Sequence, residues 1–114
     1  MATKPEAETT VQEAIDALPE PDRALGLRLQ ALIADVAPHL TPRLWYGMPA
    51  WSKDGKVLCF FQPAAKFKAR YATLGFSDRA GLDDGALWPT AFALCSLEGD
   101  VELRVRELVA RAAG

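Results

Sequence analysis

Residues 44–61, LWYGMPAWSKDGKVLCFF, decide the fold of this 114-residue chain. Their second half places Asp54-Gly55 between two apolar segments, residues 50–52 and 57–62. An Asp-Gly pair in this setting is a strong signal for a two-residue β-hairpin turn. We therefore predict two antiparallel strands here and build the rest of the domain around them.

The first half of the stretch predicts a sharp bend. Gly47 tolerates the positive φ of a tight turn, and Pro49 favours an extended backbone at Met48. Just upstream, Thr41-Pro42 fits the start of one short helical turn, with threonine as the cap and proline at the first helical position. Gly47 and Pro49 are therefore predicted to be structural residues that orient the large side chains around them.

Two helices are predicted before the hairpin. Thr10 and Glu13 form a capping-box pattern, and the helix that they begin is expected to stop at Pro19. A second helix is expected from residues 21–22 to Pro38, because apolar residues recur there at the three- and four-residue spacing of a buried helical face.

The segments after the hairpin predict two further strands and a last helix. Residues 68–73 are expected to form a third strand, and residues 91–96 a fourth, fully buried one. Residues 75–90 are rich in Gly and Asp and predict a loop, and a helix is expected to start at residues 99–100.

This order predicts an α+β two-layer sandwich: an antiparallel sheet with an N-terminal helical pair and a C-terminal helix. Residues 1–9 are expected to be a flexible N-terminus and residues 10–114 a single domain.

Composition predicts a cytoplasmic protein with no membrane partner. Half of the residues are hydrophobic and a quarter are charged, and no apolar run approaches the ~20 residues that span a bilayer. The N-terminus lacks the apolar core of a secretory signal. Cys59 and Cys95 both lie in apolar segments, so we expect two buried free thiols rather than a disulfide.

Charge and aromatic residues are distributed unevenly along the chain. Residues 1–35 carry a net charge of −4 and residues 78–114 one of −3, whereas residues 36–77 carry +5. All ten aromatic residues lie between positions 45 and 92. The basic residues and most of the rings therefore occupy the same central portion of the chain.

This overlap predicts a ligand site around the bend. Alternation along the third strand would place three cations on one face, where they could bind a carboxylate or phosphate. The rings would line an adjoining pocket, although packing in the core and a solvated cationic face remain open alternatives. The predicted ligand-binding residues are Trp45, Tyr46, Met48, Trp51, Lys66, Lys68 and Arg70.

No sequence motif predicts catalysis, a metal site or a cofactor. His39 is the only histidine, and it has no second ligand at metal spacing and no nucleophile motif beside it. The chain has no signature of an RNA- or DNA-binding fold and is acidic overall, so no nucleic-acid partner is expected. We therefore expect a non-enzymatic binding protein.

The segment Tyr46-Gly47-Met48-Pro49, followed by a hairpin, a lysine-rich segment and a final strand and helix, resembles the YdhG-like family of small bacterial domains. Most members have no known function, and some carry a frataxin-like iron-chaperone label. The resemblance implies a compact α+β fold, a cytosolic setting and a cleft beside the Tyr-Gly-Met-Pro bend. It also implies iron binding as an alternative function, for which the sequence offers only an acidic helical face (Glu13, Asp16, Glu20 and Asp22).

The leading hypothesis is that the cleft beside the bend binds a small anionic or aromatic ligand, or a protein partner. Two alternatives stay open at this point: an iron-chaperone-like protein, and a homodimer that joins through its aromatic sheet region.

Overall fold

The structure, a computed structural model, describes the backbone of residues 6–114 and the side chains of residues 10–114. It contains three helices and five strands within these residues. In chain order they are α1 (Glu6–Asp16), α2 (Asp22–Val36), β1 (Thr41–Trp45), β2 (Met48–Lys53), β3 (Lys56–Gln62), β4 (Ala72–Phe76), β5 (Ala91–Leu94) and α3 (Asp100–Ala113).

The three helices lie where the sequence predicts them, except that the first begins earlier than expected. α2 begins directly after Pro21, and α3 begins after Gly99, as the turn residues predict. α1 begins at Glu6, so Thr10 lies inside the helix and the predicted capping box at Thr10 is wrong. The predicted flexible segment 1–9 lies partly outside the described residues.

The five strands form one antiparallel sheet in the order β1-β2-β3-β4-β5. The Asp54-Gly55 hairpin is confirmed: both residues have positive φ, and Lys53 pairs with Lys56 on either side of them. The predicted helical turn at Thr41-Pro42 is wrong, because both residues belong to the edge strand β1. Proline is tolerated there because an edge strand leaves part of its N–H row unpaired.

The two later strands are displaced from their predicted positions. β4 starts at Ala72, so residues 68–71 are not a strand, and its second half falls in the predicted loop. β5 ends at Leu94, and Ala91 and Ala93 are exposed, so the prediction of a fully buried strand is wrong. As the last strand of the sheet, β5 buries one face only.

All three helices pack on the same face of the sheet. A Cβ atom added to Gly26 of α2 would contact Ile15 of α1 and Phe61 of β3, so both helices meet over Phe61. α3 lies against Phe92 and Leu94 of β5. This layer of helices on one antiparallel sheet confirms the predicted α+β two-layer sandwich.

The core between the two layers contains large side chains with almost no exposure. The largest of them are Trp51, Phe61, Ile15, Leu29, Ile33 and Leu58. Cys59 is buried with them, whereas Cys95 is exposed, so only one of the two predicted buried thiols is found. None of the helices in residues 6–114 is long and apolar enough to cross a bilayer.

Candidate functional site

The bend that joins β1 to β2 is a two-residue hairpin turn. Trp45 pairs with Met48, and the residues between them, Tyr46 and Gly47, have φ values of 51° and 76°. Two successive positive φ angles define the turn type that matches the twist of paired strands. Glycine adopts this conformation freely, but tyrosine does so at a steric cost, and the Tyr46 side chain is 80% exposed.

The bend is fixed from outside by Lys66. The Lys66 ammonium donates a hydrogen bond to the Gly47 carbonyl oxygen over 2.7 Å. Lys66 itself is positioned by its neighbour, because the Ala65 amide donates to the buried carboxylate of Asp22 at the start of α2 over 3.0 Å. The sequence suggested that Asp22 lies on an exposed acidic face of a helix. In the structure its side chain is buried instead. Its carboxylate links the β3–β4 connection to α2 through the hydrogen bond from the Ala65 amide.

A cleft of about 490 Å³ lies beside the bend, between α1, the α1–α2 connection and the residues that follow β3. Its walls are small and aliphatic apart from one ammonium group. They include Ala14, Ala17, Leu18, Pro49, Pro63 and Lys66. Lys66 is the only charged residue among the described residues that line it. A cleft does lie beside the Tyr-Gly-Met-Pro bend, as the family resemblance implies.

The aromatic residues predicted to line this cleft are elsewhere. Trp51 is 2% exposed and belongs to the core, and Met48 is also buried, as the strand partner of Trp45. Trp45 contacts Tyr46 edge-on with ring centroids 4.9 Å apart, and it also contacts Phe60 at 5.2 Å. Of the predicted residues around the bend, Gly47, Pro49 and Lys66 line the cleft, and Trp45, Tyr46, Met48 and Trp51 do not.

The three cations are not aligned on one strand face. Lys66 and Lys68 lie in a turn closed by hydrogen bonds from the Lys68 and Ala69 amides to Ala65 and Ala64. Lys68 has a φ of 54°, which no strand residue adopts. Arg70 is exposed, and its guanidinium lies 5.2 Å from the centroid of the Tyr71 ring. The alternation of Lys66, Lys68 and Arg70 does not indicate a strand with one buried face, because every residue from 66 to 71 is exposed.

A second cleft, of about 440 Å³, was missed by the sequence analysis. It lies between the loop before β5 and α3, and its lining includes Trp88, Phe92, Leu108, Arg104, Glu107 and Arg111. One guanidinium is already engaged, because Arg111 donates to the Asp83 carbonyl oxygen over 3.2 Å. The helical spacing of the two arginines on α3 is the signal that could have placed them on one face with Leu108.

Cys59, Cys95 and His39 lie in different environments. Burial raises the pKa of the Cys59 thiol to about 12, so this thiol stays protonated and unreactive at neutral pH. His39 and Cys95 are exposed. Across the described part of the chain, no three His, Cys, Asp or Glu side chains lie close enough together to hold a metal ion. No contact in residues 10–114 gives Lys66 a carboxylate partner.

Comparison of this chain with models of protein families, with curated proteins and with solved structures finds no match. The resemblance to the YdhG-like family therefore stays a prediction carried by the Tyr46–Pro49 segment and the order of the elements.

Proposed function

We propose that the protein binds a small anionic molecule in the cleft beside the bend and does not transform it. The observation that carries the proposal is the Lys66 ammonium, which sits on the wall of an otherwise aliphatic cleft and is held there by the Gly47 carbonyl. One of its three N–H donors is used by this contact, so the others are available to a ligand.

The cleft favours an aliphatic acid over an aromatic one. Its volume of about 490 Å³ is within the range of small-molecule sites, and its walls are alanine, leucine and proline side chains. The rings of Trp45 and Tyr46 do not reach it, so nothing in the wall would stack on a planar ligand. A carboxylate or phosphate on Lys66 with a short aliphatic body along Leu18 and Pro49 fits both features.

The residues around the cleft support binding rather than turnover. A nucleophilic lysine is normally desolvated in an apolar pocket, but Lys66 is exposed and hydrogen-bonded to a backbone carbonyl. The other lining residues that the structure describes carry no acid, base or nucleophile.

A thermal-shift screen of aliphatic carboxylates and phosphate monoesters tests the proposal, with calorimetry on any compound that raises the melting temperature. A ligand at ~100 times its dissociation constant should stabilise the fold by ~2.7 kcal/mol. Lys66→Met should abolish the shift, whereas Lys56→Met, which removes an exposed lysine at the start of β3, should preserve it. A shift that survives Lys66→Met would contradict the proposal.

Ferrous iron belongs in the same screen. Tight stoichiometric binding of iron, with no response to any organic anion, would replace this proposal by the iron-chaperone function that the family resemblance implies.

A further inference from the structure

The face of the sheet opposite the helices carries no helix among the described residues. Cross-strand partners share a face, so the register places Arg43, Ala50, Phe60 and Gly75 in one row across β1 to β4 on that side. We call this side of the sheet the outer face. Thr73 also lies on it, next to Gly75 along β4.

The outer face presents aromatic rings to solvent. Trp45 and Phe60 are half-buried, with their ring centroids 5.2 Å apart, and Tyr46 projects from the end of the hairpin against Trp45. Tyr46 keeps its ring in a backbone conformation that favours glycine or asparagine. Tyr46 therefore destabilises the turn, and its exposed side chain does not contribute to the core in return.

Arg43 shares the face of these rings, Lys66 lies against the hairpin turn that carries Tyr46, and the five strands contain no acidic residue. The segment 66–71, KFKARY, is exposed throughout, with Phe67 at 41% and Tyr71 at 38%, and Lys66 ties it to the hairpin turn. We call this segment the basic rim. Asp54 is the only acidic residue in residues 41–77, and it lies in the β2–β3 turn, at the opposite end of β2 from Tyr46.

We propose that the outer face and the basic rim bind single-stranded nucleic acid. Exposed rings stack on unpaired bases whatever their sequence, while nearby lysines and arginines neutralise the phosphates. Thr73 and Gln62, cross-strand partners on the same face, add hydroxyl and amide groups within reach of base edges. The chain is acidic overall, but apart from Asp54 its acidic residues lie before residue 36 and after residue 77, outside β1 to β4. The one acid shown beside the basic rim, Asp22, is buried and accepts a hydrogen bond from the Ala65 amide.

The same charges disfavour a second copy of the chain on this face. A two-fold symmetric contact would press the same cationic face of both copies together, with Arg43 and the basic rim of each inside or beside the interface. The face supplies no carboxylate to pair with them, so desolvation of the cations would be uncompensated. Duplex nucleic acid fits less well than a single strand, since its bases are stacked on one another and are not free for the rings.

Binding is measured by the fluorescence anisotropy of a labelled oligothymidylate of about 12 nucleotides, with the matching oligouridylate and a duplex as comparisons. We expect the single strands to bind more tightly than the duplex. We also expect the affinity to fall with salt, with a log–log slope of about −0.7 for each phosphate neutralised. Stacking on Trp45 should quench part of the intrinsic fluorescence, and Trp45→Phe should remove that quenching while most of the affinity remains.

Two matched pairs of variants locate the site. Tyr46→Asn removes the exposed ring but suits the positive φ, so it should weaken binding at least about five-fold with the fold intact. Its control is Leu87→Asn, which removes a 90% exposed apolar side chain from a distant loop. Arg43→Ser should reduce the salt slope by about 0.7, whereas Lys56→Ser, at the start of β3, should leave it unchanged.

Three results would overturn the proposal. The first is equal affinity for the single strand and for polyglutamate with no effect of Tyr46→Asn, which would reduce the binding to nonspecific attraction. The second is concentration-dependent dimerisation that Tyr46→Asn abolishes, which would assign the face to a second copy. The third is no binding at low salt. Lys66 belongs to both surfaces, but the residues varied here, Tyr46 and Arg43, do not line the small-molecule cleft, so these results are independent of ligand binding there.

Discussion

The ring of Phe60 lies against the backbone of Gly75, its partner across the β3–β4 ladder. A Cβ atom added to Gly75 would be 2.1 Å from Cζ of Phe60 and 2.6 Å from two further ring atoms. Glycine inside a strand lowers stability unless something needs the space that it leaves. Here the space is taken by an aromatic ring of the outer face, which in turn covers Gly75.

Gly75→Ala is expected to destabilise the protein by about 1–3 kcal/mol, because the new methyl group forces Phe60 off its position in a packed arrangement. Chemical denaturation measures the loss. In a Phe60→Ala background the same substitution should cost little or nothing, since the ring that it would meet is gone. An equal loss in both backgrounds would mean that the glycine serves the backbone rather than the ring.

The same pair explains part of what the sequence could not predict. Gly75 was predicted to be the first residue of a loop, because the segment 75–90 is rich in Gly and Asp. It lies inside β4 because its strand partner Phe60 occupies the space that a side chain would need, and this contact cannot be read from the local sequence. β1 was missed for a similar reason: Thr41-Pro42 fits a helix start locally, and only the pairing with β2 makes it a strand. The hairpin at Asp54-Gly55 was predictable because its signal is local.

In the candidate site, too, the features set by local sequence were predictable and those set by contacts between distant segments were not. The bend at Gly47 follows from turn chemistry, and the cleft beside it was implied by the family resemblance. The predicted pocket lined by Trp45, Tyr46, Met48 and Trp51 does not form. Lys66 reaches Gly47 only because a turn, not a strand, follows β3. Which side of the sheet each ring occupies depends on register, and a shift of one residue reverses it.

Gly47 and Gly55 occupy equivalent places in the two hairpin turns, with φ values of 76° and 80°. Replacing either by alanine should cost about 1–2 kcal/mol, because a Cβ atom is strained in the left-handed region. Gly47→Ala should cost slightly more, since its Cβ would lie 2.6 Å from the Lys66 ammonium, whereas Gly55 has nothing within 4 Å. Thermal and urea unfolding of both variants measure the difference.

A Lys66→Ala background should bring the two glycine variants to equal cost. If Gly47→Ala remained the more damaging there, its extra cost would come from the backbone of the bend and not from Lys66. Gly47→Val should be more damaging than Gly47→Ala in either background, because a β-branched side chain is a steric outlier at positive φ.

Loss of the hydroxyl group is expected to change the stability of the protein in opposite directions at Ser52 and at Ser77. Ser52 Oγ is buried and has no hydrogen-bond partner among the described residues, so Ser52→Ala should be neutral or stabilise by up to about 1 kcal/mol. Ser77 Oγ donates to the Val57 carbonyl and accepts from the Arg79 amide, so Ser77→Ala should destabilise by about 1 kcal/mol. Urea denaturation compares them, and a loss at Ser52 similar to that at Ser77 would reveal a partner for its hydroxyl.

Burial of Cys59 predicts how stability depends on alkaline pH. Its pKa is raised from 9.0 to about 12 in the folded protein, so above pH 9 the thiol ionises in the unfolded chain and stays protonated in the native one. The unfolded state then binds fewer protons, and the free energy of unfolding falls as pH rises from about 9 to 12, by up to ~1.4 kcal/mol per pH unit. Urea denaturation between pH 8 and 11 should show this slope in the wild type and a shallower one in Cys59→Ala, in which all other groups titrate alike. Equal slopes would mean that the thiol is accessible in the folded state, and a thiol reagent that modified both cysteines of the native protein would agree, since only Cys95 is exposed.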